Sequence, residues 1–375
     1  MAVTFSFPTT VLFGAGTVRE LPRRLAALGC SKPLLVTDRG LVETPAFRTV
    51  EAMSQGQWPV FAGVTPNPAE GDVELGAEMF RSLECDAVIA LGGGSALDVG
   101  KVLRIRAQWP DVAFRKFDPP ASPPPLAPCI TIPTTAGTGS EVGRSSVVIL
   151  DGRKAVIFHP ALLARLVILD PELTVGLPPF ITAATGMDAL THNLEAYVAK
   201  GDHPLADAIA LDGLRRIGQH LGRAVKNGKD IEAREQMLLG SAMGAIAFQK
   251  GLGACHSVAH ALTPVAGTHH GLANSLMLPT VIQFNRSAAE ERLATAAVVL
   301  GADPRMNAQE RAHACAHIVD DLRAACGLPR KLSQAGVKRE MIPRLVEKAM
   351  ADACHQSNPR ACTQVDFERI IEEAF

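Results

Sequence analysis

The feature that most constrains the fold is an apolar run that leads directly into three glycines. Residues 87–91 read Ala-Val-Ile-Ala-Leu, and Gly92-Gly93-Gly94 follow without a break. A run that is apolar at every position is typical of a strand buried on both faces of a parallel sheet. The residues after the glycines predict the start of a helix. Strand, glycine turn and helix together indicate an α/β fold.

The glycine turn itself is a candidate binding site for an anion. Glycines let backbone N–H groups approach a phosphate, and the start of a helix is positively polarised. The G-x-G-x-x-G motif is excluded because position 97 is Leu97, and a Walker A loop is excluded because positions 95 and 102 are Ser95 and Val102. Ser95 and Asp98 have the spacing of a helix capping box. The alternative is an ordinary turn between a strand and a helix.

Two regions with different patterns divide the chain near Pro178. Residues 1–178 alternate strands and helices and contain a hairpin signal at Asp151-Gly152, after which Lys154 begins the return strand. Residues 179–375 predict helix after helix, over 181–199, 205–226, 231–248, 256–266, 272–285, 287–300, 307–325, 339–352 and 366–373. The sequence therefore predicts an α/β domain with a parallel sheet, followed by an all-helical domain.

A second loop rich in small polar residues follows the predicted strand 129–133. It reads Thr134-Thr135-Ala136-Gly137-Thr138-Gly139-Ser140-Glu141. So many hydroxyls and glycines do not pack a core. One interpretation is a hydrogen-bonding loop over a cofactor, and the other is a surface Ω-loop.

Acidic and imidazole side chains recur at helical spacing in the second region. Asp188 and His192 are four residues apart, so a helix places them on one face about one turn, ~5.4 Å, apart. His256 and His260 form a second such pair, and His270 follows. Two helices and a loop could converge on one metal ion. A lone histidine among apolar neighbours is more often a core residue, and the pair His313 and His317 is interpreted as a solvated helix face.

Composition excludes several classes of partner. The formal net charge is −1 with acidic and basic residues interspersed, so no field attracts nucleic acid or an anionic membrane. No apolar stretch approaches the ~20 residues of a membrane span, and the N-terminus lacks the pattern of a signal peptide. Eight scattered cysteines without C-x-x-C favour reduced thiols. We therefore expect a soluble, cytoplasmic protein that acts on small molecules.

Several motifs, in order along nearly the whole chain, resemble the iron-dependent (group III) alcohol dehydrogenase family. They are Phe13-Gly14, Val36-Thr37-Asp38, Gly92-Gly93-Gly94-Ser95 with Asp98 and Lys101, Pro133 to Glu141, Gly186 to Tyr197, Gly251-Leu252-Gly253 with His256 and His260, His270-Gly271, and Asn358-Pro359-Arg360. The resemblance implies a dinucleotide-binding N-terminal domain and a helical C-terminal domain like that of dehydroquinate synthase. It also implies an enzyme that transfers a hydride between a small alcohol or aldehyde and a nicotinamide.

The resemblance assigns a divalent metal to one carboxylate and three imidazoles. Mapped by motif, the ligands are Asp188, His192, His256 and His270. Imidazole and carboxylate suit both Fe(II), which the family favours, and Zn(II). His260 is left to face the nicotinamide or to relay a proton, which makes it the candidate catalytic residue. Because His269 precedes His270, the neighbouring imidazole remains an alternative ligand.

The resemblance also assigns the cofactor-binding residues. These are Asp38, Asn67, Gly93, Gly94, Ser95, Asp98, Thr134, Thr135, Thr138 and Lys154. A carboxylate at Asp38 would accept hydrogen bonds from the ribose 2′-hydroxyl and repel a 2′-phosphate, which favours NAD(H) over NADP(H). Arg39 beside it could offset that repulsion, so NADP(H) is the alternative.

Three functions compete at this stage. A metal-dependent alcohol dehydrogenase or aldehyde reductase leads, and a maleylacetate reductase shares the fold but typically lacks this ligand set. A dehydroquinate synthase-like lyase or a non-catalytic metal-binding protein belongs to another class. The segment Ala247-Phe248-Gln249-Lys250-Gly251 lacks the asparagine that the family commonly has there. A homodimer or higher homo-oligomer is the expectation from the family.

Overall fold

A parallel sheet of six strands dominates the first part of the chain. The fold comes from a computed structural model, and the structure describes residues 9–114 and 126–375. The strands of the sheet are β1 Thr10–Phe13, β2 Pro33–Asp38, β3 Val60–Val64, β4 Ala87–Gly92, β5 Cys129–Pro133 and β8 Leu166–Leu169. They run in the order β1-β8-β5-β4-β2-β3, and every neighbouring pair is parallel. A separate antiparallel hairpin pairs β6, Ser145–Leu150, with β7, Arg153–Phe158.

Helices cover both faces of this sheet. They are α1 Leu21–Ala27, α2 Arg39–Val42, α3 Pro45–Glu51, α4 Glu70–Ser82 and α5 Gly94–Gln108. Successive residues of β4 alternate between two apolar clusters, with Val88 and Ala90 on one side and Ile89 and Leu91 on the other. This burial on both faces explains why the strand is apolar at every position.

Tight packing between α5 and β4 holds the glycine turn in place. A Cβ atom added at Gly100 would lie 2.5 Å from the Cβ of Ala90, so only glycine allows this approach of helix and strand. The predicted capping box is wrong, because Gly93 is the N-cap and no side chain caps the helix. The predicted hairpin turn is correct, since Asp151 and Gly152 both have positive φ.

The second part of the chain is helical, as the sequence predicts. The predicted bounds agree to within three residues at each end with the helices observed, which are α6 Pro179–Val198, α7 Pro204–Lys226, α8 Ile231–Ala247, α9 Ala254–Ala266, α10 His270–Asn285, α11 Glu290–Val299, α12 Ala308–Ala325, α13 Ile342–Ala351 and α14 Gln364–Glu373. The fold class, a parallel α/β sheet followed by a helical region, is thereby confirmed.

Contacts divide the described chain into two compact units. The helical unit contains Pro178–Phe375 and the short segment Ala136–Thr138, while the sheet unit contains the described residues 9–114, 126–135 and 139–177. Helix α6 is buried along almost its whole length in the helical unit. Among the described residues, none of the helices has the length and apolarity that a membrane span requires. All eight cysteines are free.

Candidate active site

Helix α6 carries the first half of the site. Its sequence is apolar around most of its circumference, so it packs against α7, α8 and α10 on several sides. Asp188 and His192 lie one turn apart on this buried helix and are only 3% and 4% exposed. Because burial of a charge is costly unless it is compensated, a carboxylate at this position requires partners close by.

The partners come from α9 and α10. The Oδ1 atom of Asp188 lies 3.8 Å from Nε2 of His256 and 3.5 Å from Nε2 of His270. All three donor atoms lie within 4.8 Å of one another. Two ligands that are each ~2.1 Å from a tetrahedral ion would lie ~3.4 Å apart. The observed spacing therefore fits a single divalent cation.

An amide shows how closely these three acceptors converge. Nδ2 of Asn274, one turn after His270 on α10, donates to Oδ1 of Asp188 at 2.7 Å. The same nitrogen lies 3.2 Å from Nε2 of His256 and 3.3 Å from Nε2 of His270. Three lone pairs directed at one positive centre are the arrangement that a cation site needs.

The electrostatics keep the carboxylate charged. Burial alone raises the pKa of Asp188, but the neighbouring imidazoles and the Asn274 amide outweigh it and lower that pKa to about 2. Burial lowers the pKa of His192 to about 4, although the charge of Asp188 opposes the shift. An ionised carboxylate beside a neutral imidazole is the protonation state that metal ligands require.

The predicted ligand His192 lies beside this group. Its ring stacks on His256 with centroids 4.6 Å apart, and it is 5.2 Å from the ring of Phe248. The three mutually close donors are Asp188, His256 and His270. The role of His192 as a fourth ligand stays a prediction, supported by its position one turn from Asp188.

The candidate catalytic residue His260 is next to the same cluster but has a different partner. Its ring stacks on His270 at 5.3 Å, and its Nδ1 lies 2.9 Å from Oδ2 of Asp352. Asp352 also accepts from the hydroxyl of Ser257 and the backbone N–H of Cys354. The side chain of His260 is 35% exposed, whereas that of His256 is 1% exposed. His260 is thus held in one orientation at a more open position.

The other histidines considered from the sequence lie elsewhere. His269 is exposed at the N-cap of α10, with its ring 6.4 Å from that of Phe180. His313 and His317 are close to each other on the exposed face of α12, and Arg286 lies 2.6 Å from Nδ1 of His313. A guanidinium at that distance would repel a cation, in agreement with a solvated helix face.

The predicted cofactor residues of the sheet unit gather at one edge of the sheet. Asp38 ends β2, Gly93 follows β4, and Thr134 follows β5, and these three strands are adjacent. Thr134 donates its N–H to the carbonyl of Gly92 at 3.0 Å. A Cβ at Gly92 would lie 3.6 Å from Asp38 Oδ2, and one at Gly93 would lie 3.6 Å from the Thr135 side chain. Carboxyl ends of parallel strands are where α/β proteins bind nucleotides.

The remaining cofactor candidates differ in their surroundings. Gly94 and Ser95 begin helix α5 and are partly exposed, while Asn67, Thr138 and Lys154 are exposed. Asn67 has a φ of 55°, the left-handed conformation that asparagine tolerates in a tight turn. Their exposure leaves these side chains available to a ligand, and their roles stay predictions.

Asp98 is the exception, because protein groups satisfy its carboxylate. It is 6% exposed and accepts hydrogen bonds from the hydroxyl of Ser140 and the N–H of Val147. Nζ of the fully buried Lys101 lies 3.3 Å away and donates to the carbonyl and hydroxyl of Ser140. This network ties the loop after β5 to helix α5. Asp98 therefore has a structural role here, and its predicted contact with a cofactor stays a prediction.

The sequence analysis did not identify three residues around the site, which are Glu195, Asn274 and Asp352. Glu195 is seven residues after Asp188, or two helical turns, and Asn274 is four residues after His270. Both spacings place the side chains on the same helix face as a predicted ligand, and that signal could have identified them. Asp352 carries no such local signal, since its partner His260 is 92 residues away in sequence.

Comparison with known families decides the classification. The sequence model described as "Iron-containing alcohol dehydrogenase" matches residues 8–171, and the one described as "Fe-containing alcohol dehydrogenase family, C-terminal" matches residues 182–375. The protein belongs to the iron-containing alcohol dehydrogenase family. Members are oxidoreductases that act on alcohols and aldehydes, so the lyase and non-catalytic alternatives lose their support.

Relatives of this family match over almost the entire chain. The 4-hydroxybutyrate dehydrogenase of Cupriavidus necator is 38% identical and covers 96% of both chains, and the NAD-dependent methanol dehydrogenase of Bacillus methanolicus is 36% identical and covers 99% of both. A solved structure of a 1,3-propanediol oxidoreductase superposes with a TM-score of 0.95 at 34% identity and 100% coverage of both chains. The maleylacetate reductase of Agrobacterium tumefaciens also superposes, with a TM-score of 0.83 at 26% identity, covering 100% of this chain and 97% of its own.

Proposed function

We propose that this protein is a metal-dependent dehydrogenase that transfers a hydride between a small alcohol or aldehyde and NAD(H). The observation that carries the proposal is the convergence of Asp188 Oδ1, His256 Nε2 and His270 Nε2 in the helical unit. Membership of the family supports an alcohol dehydrogenase, and the donor set supports a divalent cation.

In this proposal Asp188, His192, His256 and His270 hold the metal. A divalent cation there supplies Lewis acidity, which lowers the pKa of a bound hydroxyl and polarises a carbonyl in the reverse direction. The single carboxylate offsets half of the charge of the ion in a buried setting. Fe(II) is the metal that we expect, with Zn(II) as the alternative, because the donors suit both.

His260 supplies the acid–base function. A carboxylate accepts only, so the bond to Asp352 places the proton of a neutral His260 on Nδ1 and leaves Nε2 as the acceptor. Its partly exposed side chain can then take a proton from a substrate hydroxyl and pass it to water. Near-wild-type turnover of His260→Ala would remove this role.

The strand ends of the sheet unit hold the cofactor. Gly93, Gly94 and Ser95 offer backbone N–H groups at the start of α5, which suits a pyrophosphate. Asp38 favours a ribose 2′-hydroxyl over a 2′-phosphate. One related enzyme carries the name NAD-dependent methanol dehydrogenase, which supports NAD(H) rather than NADP(H).

The substrate that we propose is a short hydroxylated compound. The relatives are named for 4-hydroxybutyrate, methanol and 1,3-propanediol, each of which carries a terminal hydroxyl. A second candidate is a maleylacetate reductase, favoured by the likeness to the enzyme from Agrobacterium tumefaciens. The two differ in their need for metal.

Three broader expectations belong to the same proposal. Residues 1–178 and 179–375 act as a dinucleotide-binding domain and a metal-binding domain, a division supported by the two compact units. The protein works in the cytoplasm, and it assembles as a homodimer or a larger homo-oligomer. Light scattering coupled to size exclusion measures the assembly directly.

A substrate panel on reloaded apoenzyme tests the proposal. The purified protein is chelated, reloaded separately with Fe(II) or Zn(II), and assayed with alcohols and aldehydes using NAD(H) and NADP(H). We expect turnover to disappear on chelation, to return with metal, and to have the higher kcat/KM with NAD(H).

The variant Asp38→Asn isolates the cofactor preference. Asparagine keeps the cap that Asp38 Oδ1 provides to the N–H of Leu41, so the fold should not change. The ratio of kcat/KM with NAD(H) to kcat/KM with NADP(H) should then fall by about tenfold, or ~1.4 kcal/mol. Activity that survives exhaustive chelation would favour the maleylacetate reductase, and a lower KM for NADPH than for NADH would contradict the choice of cofactor.

A further inference from the structure

Glu195 is a buried carboxylate directly behind one of the proposed metal ligands. It lies on α6, two turns after Asp188, and is 2% exposed. Its Oε2 lies 2.6 Å from Nδ1 of His256 and accepts the N–H of the same residue at 3.3 Å. Its Oε1 accepts the N–H of Cys255 at 2.7 Å. One carboxyl group thus contacts both the ring and the backbone of the residue that carries a proposed ligand atom.

The bond to the ring determines which nitrogen is free for a metal. An ionised carboxylate can only accept, so the short contact places a proton on Nδ1 of His256. The lone pair then lies on Nε2, the atom 3.8 Å from Asp188 Oδ1. Without an acceptor at Nδ1, a neutral imidazole is free to place its proton on either nitrogen.

Several segments are arranged to keep Glu195 at this position. A Cβ added at Gly253 would lie 2.6 Å from Glu195 Oε1 and 2.7 Å from Oδ1 of Asn358, so glycine makes room for both. Asn358 accepts the N–H of Ala254 at the same helix end. The two side chains therefore accept the first buried N–H groups of α9, which have no partner within the helix. The Gly-Leu-Gly and Asn-Pro-Arg motifs meet here.

We propose that Glu195 is a positioning residue that holds the proton of His256 on Nδ1 and increases the electron-donating power of Nε2 toward a divalent cation. This inference rests on the proposed function, because it concerns the same metal site. Carboxylates behind histidine ligands typically contribute 10–100-fold to metal affinity. The competing interpretation is that Glu195 only caps helix α9.

The variant Glu195→Gln separates these interpretations, because it keeps the size of the side chain and removes its charge. Full-length apoprotein is titrated with Co(II) in competition with a chelator of known affinity, and the visible spectrum of bound Co(II) is recorded. We expect affinity to fall 10–100-fold with a changed spectrum, while the unfolding temperature of the apoprotein changes little.

Asn358→Ala is the matched control at the same helix end. It removes the cap on Ala254 without touching the His256 ring, so it should lower stability and leave the Co(II) affinity within about twofold of wild type. Equal loss of affinity in both variants would mean that Glu195 acts through the helix end alone. Unchanged affinity in Glu195→Gln would also overturn the inference.

A measurement on the wild-type protein covers the case in which the variant does not fold. With ¹⁵N-labelled histidine, the ring signals of His256, assigned by comparison with His256→Gln, should show a protonated Nδ1 in the apoprotein. An unprotonated Nδ1 would contradict the inference. If wild-type protein binds no Co(II) at all, the proposed function fails instead, so the two failures are distinguishable.

Discussion

Two buried carboxylates, Asp188 and Glu141, have pKa values shifted in opposite directions, although burial alone raises both. Asp188 receives a hydrogen bond from Asn274 and is close to three imidazoles, and its pKa is lowered to about 2. Burial raises the pKa of Glu141 to about 7, even though its own backbone N–H and the charge of Lys101 oppose the shift. Among the described residues, Oε1 of Glu141 has no hydrogen-bond partner. The immediate partners, not burial itself, decide whether each group carries charge at neutral pH.

Glu141 should therefore make the fold less stable as pH rises. Below pH 4.5 both states are protonated, and between pH 4.5 and about 7 the folded state keeps a proton that the unfolded state has lost. This contribution to stability is lost as pH rises through that window, and it is on the order of 3 kcal/mol. Glu141→Gln should have a larger free energy of unfolding than wild type at pH 8. The difference between variant and wild type should be smaller at pH 5. Urea unfolding at both pH values measures this, and an equal difference at the two would contradict it.

At the scale of single elements, helices α6 and α9 carry and position most of the residues of the site. Helix α6 carries Asp188, His192 and Glu195 with spacings of four and three residues, so all three lie along one face. Helix α9 begins at Ala254, and its first N–H groups are bound by Glu195 and Asn358. The start of α9 is thus fixed by the same contacts that orient His256.

Gly253→Ala should disturb both the helix end and the metal site. The added methyl group would overlap the side-chain oxygens of Glu195 and Asn358, and such overpacking typically costs about 1–3 kcal/mol. We expect a lower unfolding temperature together with weaker Co(II) binding, measured by calorimetry and chelator competition.

Gly222→Ala in α7 is the matched control for this prediction. No atom lies within 4 Å of its added Cβ, and alanine favours a helix interior by about 0.5–1 kcal/mol relative to glycine. It should raise stability slightly and leave Co(II) affinity unchanged. If Gly253→Ala changes stability and Co(II) affinity no more than this control does, the close approach of Glu195 and Asn358 to Gly253 has no energetic consequence.

At the scale of the whole molecule, the proposed metal ligands all belong to the helical unit. The proposed cofactor residues belong to the sheet unit, apart from Thr138, which is grouped with the helices. Trp58 and Trp109, the two tryptophans of the chain, both lie in the sheet unit. Tryptophan fluorescence therefore reports on that unit, while circular dichroism reports mainly on the helices.

Removing the metal should lower the unfolding temperature seen by circular dichroism more than that seen by fluorescence. A ligand present at 100 times its Kd stabilises the folded state that binds it by about 2.7 kcal/mol. Thermal scans with and without chelator measure both transitions, and His313→Ala should leave the shift unchanged because that histidine lies outside the site. Equal shifts of the two transitions would contradict this prediction.

The sequence by itself determined the architecture, whereas the proposed ligand set came from helical spacing together with the family resemblance. The apolar run before Gly92, the Asp-Gly turn and the helical spacing of residues 179–375 all depend on neighbours within a few positions, so they can be recognised locally. Tertiary structure alone decided what surrounds the site. Glu195 meets His256 across 61 residues, His260 meets Asp352 across 92, and Asp98 meets Ser140 across 42 instead of capping its own helix. Such contacts depend on how buried charges find partners once helices pack, and no local pattern encodes that choice.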